Sequence, residues 1–139
     1  MQNSPEIEAC WKAACAARSH AYAPYSNYLV GAAVLTDQSS EIFSGCNVEN
    51  ASYGATICAE RNAVFHAVAT LGKISIRAMV LVTCEPAPPC GMCLQVLSEF
   101  SYSETRIFLA TPEKIFHTRA FSDFLPIQFS PENLENSHD

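Results

Sequence analysis

Apolar positions along the chain follow two rhythms, one near 3.6 residues and one of two. From Pro5 to about Tyr22, Ile7, Trp11, Ala14 and Cys15 recur at helical spacing. Ser4 is placed to cap that helix, and Pro5 sits at its first position, where the missing N–H costs little. One face of such a helix must be buried, so Trp11 reads as a core anchor. Ala23-Pro24-Tyr25-Ser26-Asn27 is turn chemistry. Tyr28 to Thr36 then reads as a strand with Val30, Ala32 and Val34 on one face, and Glu41 to Val48 returns as its hairpin partner. Gly31 and Gly45 mark bulges or close backbone approach. Cys58 to Ala69 reads as a helix with Ala63, Val64, Ala67 and Val68 toward the core. Ile76 to Cys84 is nearly continuous in apolar residues, as expected of a strand covered on both faces. A second cysteine-led helix, Cys90 to Phe100, turns Leu94, Val96 and Leu97 inward. Arg106 to Thr111 reads as a buried strand, Lys114 to Thr118 as a short edge strand and Ala120 to Leu125 as a helical turn. From about Ser130 the tail is polar and expected to be loose at its end.

The order α-β-β-α-β-α-β-β-α predicts an α/β fold of three layers, α-β-α, with a mixed five-stranded sheet and helices on both faces. Right-handed connections would start both cysteine-led helices at the same end of that sheet. The 139 residues fit one domain, 1–139, with neither an internal repeat nor an interdomain linker.

Charge narrows the partners. The net charge is −6, and three lysines and five arginines are scattered without a run, so binding to a polynucleotide backbone is not expected. The longest apolar run, around Ala78 to Val82, is too short to span a membrane, and the N-terminus lacks a secretory pattern. Seven cysteines are an odd number for a disulfide framework. A reducing cytoplasm is the expected home, with Cys10, Cys15, Cys46 and Cys84 as small buried hydrophobes.

The remaining three cysteines carry the chemistry. Cys58-Ala59-Glu60-Arg61 and Pro89-Cys90-Gly91-Met92-Cys93 each open a helix and together offer three thiols and a carboxylate. Cys58, Cys90 and Cys93 supply three ligands for Zn²⁺ and leave one tetrahedral position open, the mark of a catalytic site. Glu60 lies two residues past Cys58, where it can take a proton from water at that position and deliver it to a substrate. A closed structural zinc site or a redox Cys-x-x-Cys pair are the plainer alternatives, and neither needs Glu60. Asn47 and Glu49 fall on one side of an extended segment. They suit vicinal hydroxyls, or are simply a polar strand end. The four histidines, His20, His66, His117 and His138, have no ligand spacing and read as surface or packing residues.

The paired motifs resemble the zinc-dependent deaminases of nucleosides and nucleobases in their three-cysteine form. Ala21-Tyr22-Ala23-Pro24-Tyr25-Ser26, Val30-Gly31-Ala32-Ala33 and Gly45-Cys46-Asn47-Val48-Glu49-Asn50-Ala51-Ser52-Tyr53 extend that likeness. With both cysteine motifs, Leu94-Gln95, Leu125-Pro126 and Phe129, the chain resembles the small homotetrameric cytidine deaminases from Ala21 to Phe129, in order. The resemblance implies hydrolysis of cytidine, and of 2'-deoxycytidine, to the uracil nucleoside and ammonia in pyrimidine salvage, with one Zn²⁺ per subunit and Glu60 as proton shuttle. It implies Asn47 and Glu49 as ribose binders, Tyr28 as the aromatic against the pyrimidine and the Ala59 N–H as donor to the base carbonyl. Tyr53 and Phe129 match positions that reach a neighbour's pocket, so a homotetramer with shared sites is implied. Three thiolates over-neutralise Zn²⁺, and Arg61 is placed to withdraw charge from them, with Gln95 as a further supporting neighbour of the ligands. The sequence departs from the family's pattern at Leu94, where Arg is usual, at Pro88, where Ser or Thr is common, and in a short loop from Cys84 to Pro89. These departures bear on tolerance of substituents at the cytosine amine. The competing readings are a deaminase of a modified cytosine nucleoside or an aminonucleoside antibiotic, and a zinc-bound binding protein without turnover.

Overall fold

The computed structural model describes residues 3–135. Among them the elements run α1 (Pro5–Arg18), β1 (Gly31–Thr36), β2 (Phe43–Cys46), α2 (Ala59–Leu71), β3 (Ile76–Val82), α3 (Gly91–Ser98), β4 (Ser101–Ala110), β5 (Ile115–Ala120), α4 (Phe121–Phe124) and α5 (Pro131–Glu135). One sheet orders its strands β2-β1-β3-β4-β5. β1 runs antiparallel to β2 and β3, β3 pairs parallel with β4, and β4 pairs antiparallel with β5.

Side-chain alternation on the central strands feeds two cores. On one face Ile7, Cys10 and Ala14 of α1 pack on Ala33, Leu35, Ala78, Val80 and Val82. On the other, Ala63, Val64 and Ala67 of α2, Leu94 and Leu97 of α3 and Phe121 of α4 cover Ala32, Val34, Met79, Leu81 and Ile107. Every residue of β1 is buried, which explains its unbroken apolar character. The three-layer architecture and the mixed sheet are those the pattern predicts. Trp11 packs at the edge of the α1 core, and its Nε1 donates to the Thr111 carbonyl at 2.9 Å.

The two strand glycines serve close approach. A Cβ on Gly31 would lie 2.0 Å from the Ala14 carbonyl oxygen, and one on Gly45 would lie 2.5 Å from the Ala63 nitrogen. Helices α1 and α2 therefore rest directly on strand backbone.

Several boundaries differ from expectation. Helix α1 stops at Arg18 rather than Tyr22, because Tyr22 pairs elsewhere: its N–H donates to the Asn47 carbonyl at 3.0 Å, and its carbonyl accepts from Glu49 at 2.8 Å. β1 begins at Gly31, since the Val30 N–H and the Tyr28 carbonyl bond to the Asn47 side chain instead of a neighbouring strand. β2 covers only Phe43–Cys46, and β4 starts five residues earlier than expected, at Ser101. β5 runs to Ala120 instead of Thr118. Cys84 is exposed rather than buried, while Cys15 and Cys46 are half-buried. The start of the polar tail forms the short helix α5, with the Ser130 N–H bonded to Asn133 Oδ1 at 2.8 Å. The end of that tail, including His138, lies outside the described residues.

Candidate active site

Cys58 and Cys90 are the N-cap residues of α2 and α3, and Cys93 stands in the first turn of α3. Both helices pack on the same face of the sheet. The sulfurs of Cys58, Cys90 and Cys93 lie within 4.8 Å of one another, and among the described residues no other three His, Cys, Asp or Glu side chains converge in this way. Three soft donors at that spacing fit one zinc ion and leave a position free for a non-protein ligand. The thiols already share protons unequally. Cys58 is pulled down to about 5, chiefly by the hydrogen bond it accepts from Cys93, against the opposing push of burial and with help from Arg61. Cys93 is pushed up because it is the donor and is buried. Arg61 Nη2 approaches Cys58 Sγ at 3.5 Å, and the buried Arg61 Nε has no hydrogen-bond partner. Bonding to the Cys58 sulfur in turn raises the Arg61 pKa. The structure thus places the Arg61 charge against the Cys58 sulfur.

A cavity of about 270 Å³ opens beside the cluster, with Cys58, Cys90 and Glu60 in its wall. Glu60, in the first turn of α2, is only 5% exposed. Burial raises its carboxyl above the usual range, and the neighbouring Cys58 charge adds to that effect. Ala59 is fully buried and lines the cavity. As the first residue of α2, it has no intrahelical acceptor for its N–H.

Asn47 and Glu49 line the same cavity as Glu60, together with Ser26 and Tyr28. Their polar atoms are tied to the preceding turn. Asn47 Oδ1 accepts from Val30 N–H at 2.9 Å, and Nδ2 donates to the Tyr28 carbonyl at 2.8 Å. Glu49 Oε1 accepts from the N–H groups of Tyr25 and Ser26, both at 3.0 Å, and Oε2 accepts from the Ser26 hydroxyl. These bonds, the Ser26 hydroxyl first, hold the Glu49 carboxyl below the usual carboxylate range.

Other expected residues lie apart. Tyr53 is 77% exposed beside Tyr25, with ring centroids 6.0 Å apart, and borders a shallow depression next to the cavity. Phe129 is 58% exposed. Gln95 is exposed on α3, and its amide donates to the Phe129 carbonyl at 3.1 Å, so its observed bond anchors the C-terminal segment. Leu94 is buried in the core, and Pro88 stands in the cavity wall. His66 packs edge-on against Phe43, in keeping with a packing role. Sequence reasoning singled out neither Ser26 nor Thr83 as a site residue. Thr83 is buried in the cavity wall with its hydroxyl donated to the Glu85 carbonyl. The turn motif around Ser26 was legible, but its link to Glu49, over twenty residues away, needed the fold.

Comparison with known proteins places this constellation. Residues 4–109 match the profile of the cytidine and deoxycytidylate deaminase zinc-binding region. A cytidine deaminase of Halalkalibacterium halodurans is 40% identical over 127 residues, covering 90% of this chain and 95% of that protein. One from Sporosarcina psychrophila is 41% identical over 120 residues, 85% of this chain and 87% of its own. The crystal structure of cytidine deaminase from Burkholderia pseudomallei superposes with a TM-score of 0.78 at 42% identity, covering 88% of this chain and 98% of that one. That of cytidine deaminase from Mycobacterium tuberculosis gives 0.77 at 36% identity, covering 91% and 99%.

Proposed function

The chain belongs to the zinc-binding cytidine and deoxycytidylate deaminase family, and on that premise we propose that it hydrolyses cytidine, and 2'-deoxycytidine, to the uracil nucleoside and ammonia in pyrimidine salvage. The observation that carries this reading is a buried carboxyl, Glu60, in the wall of a cavity beside three converging thiols. Cys58, Cys90 and Cys93 hold the zinc ion, which when bound supplies Lewis-acid activation of a water molecule. Glu60 takes the proton of the attacking water at a carboxylate oxygen and passes it to N3 of the cytosine. It then takes the proton of the hydroxyl newly attached to C4 and gives it to the exocyclic nitrogen, so that ammonia leaves as the carbonyl forms at C4. Burial disfavours the carboxylate and raises the Glu60 pKa toward the working pH, which suits a group that must both take and give a proton. Arg61 offsets the negative charge of the thiolates. The Ala59 N–H donates to the base carbonyl, Tyr28 packs on the pyrimidine, and Asn47 and Glu49 bind the sugar hydroxyls.

The substrate is a free nucleoside, in keeping with the net charge of −6. No helix among the described residues is long and apolar enough to cross a membrane. We assign the protein to the cytoplasm, where thiol ligands stay reduced. The exposed Tyr53 and Phe129, with Gln95 fixing the Phe129 backbone, support a homotetramer in which each reaches a neighbouring cavity. Light scattering on the eluting protein checks that assembly, and a stable monomer would remove both residues from the site.

The decisive experiment follows the ultraviolet change of cytidine with the zinc-loaded protein and with Glu60→Ala. Turnover to uridine by the parent, lost in the variant, is expected. A zinc-loaded parent that leaves cytidine and 2'-deoxycytidine intact would refute the reading.

A further inference from the structure

The turn before β1 and the polar segment after β2 meet through one hydroxyl. Ser26 Oγ donates to Glu49 Oε2 and accepts from the Tyr28 N–H at 3.0 Å. Ser26 also gives its N–H to Glu49 Oε1, as Tyr25 does. Asn27 follows with φ of 59°, a left-handed conformation that reverses the chain and is tolerated by Asn. Its N–H donates to the Ala23 carbonyl at 3.0 Å, closing the turn from within. Without Glu49 the amides of Tyr25 and Ser26 would lose these acceptors. Without the Ser26 hydroxyl, Oε2 would lose its bond and the carboxylate would be held through Oε1 alone.

An ionised carboxylate offers about four acceptor positions, and three of Glu49's are filled by Tyr25, Ser26 N–H and Ser26 Oγ. One remains, on Oε2, and the Ser26 hydroxyl fixes its direction. Asn47 has likewise one N–H and one lone pair left after bonding Tyr28 and Val30. The cavity therefore presents a small, directional polar set in which two backbone N–H groups hold Oε1 of the carboxylate and one hydroxyl holds Oε2.

Resting on the nucleoside reading above, we propose that Ser26 is a positioning residue for the sugar: it aims the last free acceptor of Glu49 at one of the vicinal ribose hydroxyls. Ser26 acts through Glu49, so its contribution exists only for substrates that have the hydroxyl. Losing one charge-assisted bond at one remove lowers kcat/KM for cytidine about 10-fold in Ser26→Ala, chiefly through KM. The same substitution leaves turnover of 2',3'-dideoxycytidine within about 2-fold of the parent, because that nucleoside keeps only its 5'-hydroxyl and lacks the vicinal pair that Glu49 would bind. Ser26→Thr keeps the hydroxyl and restores cytidine turnover. In a Glu49→Ala background, Ser26→Ala has no further effect on cytidine, as a serial action requires.

Steady-state kinetics of these variants on both nucleosides decide the matter, with a thermal melt to confirm folding. Equal losses on cytidine and dideoxycytidine would overturn the proposal, since Ser26 would then act on the base or on folding. Additive losses in the double variant would overturn it as well. A parent inactive on cytidine would instead remove the nucleoside reading itself, and with it this one.

Discussion

Gly45→Ala tests how strictly the sheet positions the reacting groups. The added Cβ would stand 2.5 Å from the Ala63 nitrogen and 2.8 Å from the carbonyl carbon and Cβ of Asn62. All of these atoms belong to the main chain of α2 or are bonded directly to it, so no rotamer change relieves the clash. The helix or the strand must move. Overpacking of this kind costs about 1–3 kcal/mol. The same movement stretches the bond from Asn62 Nδ2 to the Cys46 carbonyl, now 2.8 Å, whose loss adds about 1 kcal/mol. The sum is about 2–4 kcal/mol, or roughly 6–20 °C in Tm for a chain of this length. Cys58, Ala59 and Glu60 ride on the end of α2, and a displacement near 1 Å at reacting groups lowers kcat/KM by about 100-fold. Differential scanning calorimetry and cytidine kinetics read the two effects. Gly54→Ala is the control, because nothing lies within 4 Å of its added Cβ. A Gly45→Ala protein melting within about 2 °C of the parent would refute the claim that α2 sits hard on the β2 backbone.

Other consequences are as direct. Glu60→Gln should lower kcat by about 10²- to 10⁴-fold while zinc content by mass spectrometry stays stoichiometric, because in the proposed mechanism the carboxyl moves protons and does not bind the metal. Trp11→Phe, which removes the 2.9 Å bond to the Thr111 carbonyl, should destabilise the fold by about 1–2 kcal/mol in urea with little change in kinetics. Glu49 is more acidic folded than unfolded, so its bonds stabilise the fold above the ordinary carboxylate value of about 4.3, and that contribution fades as pH falls through its lower folded value. The urea midpoint gap between the parent and Glu49→Gln should therefore narrow below that pH, and a gap constant to the acid limit would count against it. Burial pushes the Cys10 thiol up to about 12, so iodoacetamide at neutral pH should spare Cys10 until the protein is unfolded while labelling exposed Cys84, as peptide mass mapping would read.

The sequence was most informative where one periodicity ruled. The apolar runs of β1 and β3 and the faces of α2 and α3 were legible because each is buried by elements the pattern also predicts. The convergence of Cys58, Cys90 and Cys93 was legible because the three belong to two helix starts. Legibility failed where a side chain replaces a regular partner. Tyr28 to Val30 has strand-like residues, yet Asn47 takes up the backbone groups there, and no local pattern marks that substitution. Tyr22 continues the helical rhythm of α1 but is claimed by Asn47 and Glu49, a tertiary pairing that overrides propensity. Cys84 follows an apolar strand and was expected to share its burial, but it falls just past the strand end, where the chain turns outward.

The side-chain bonds that replace the strand ladder at Tyr28 and Val30 also bear on affinity. An interface side chain that must be immobilised on binding typically withdraws about 0.5–1.5 kcal/mol from the association free energy. Asn47 and Glu49 are already fixed by the backbone of residues 25–30. Folding has thus borne an ordering entropy of about 1–3 kcal/mol for the pair before any ligand arrives, which corresponds to roughly 5- to 150-fold in a dissociation constant.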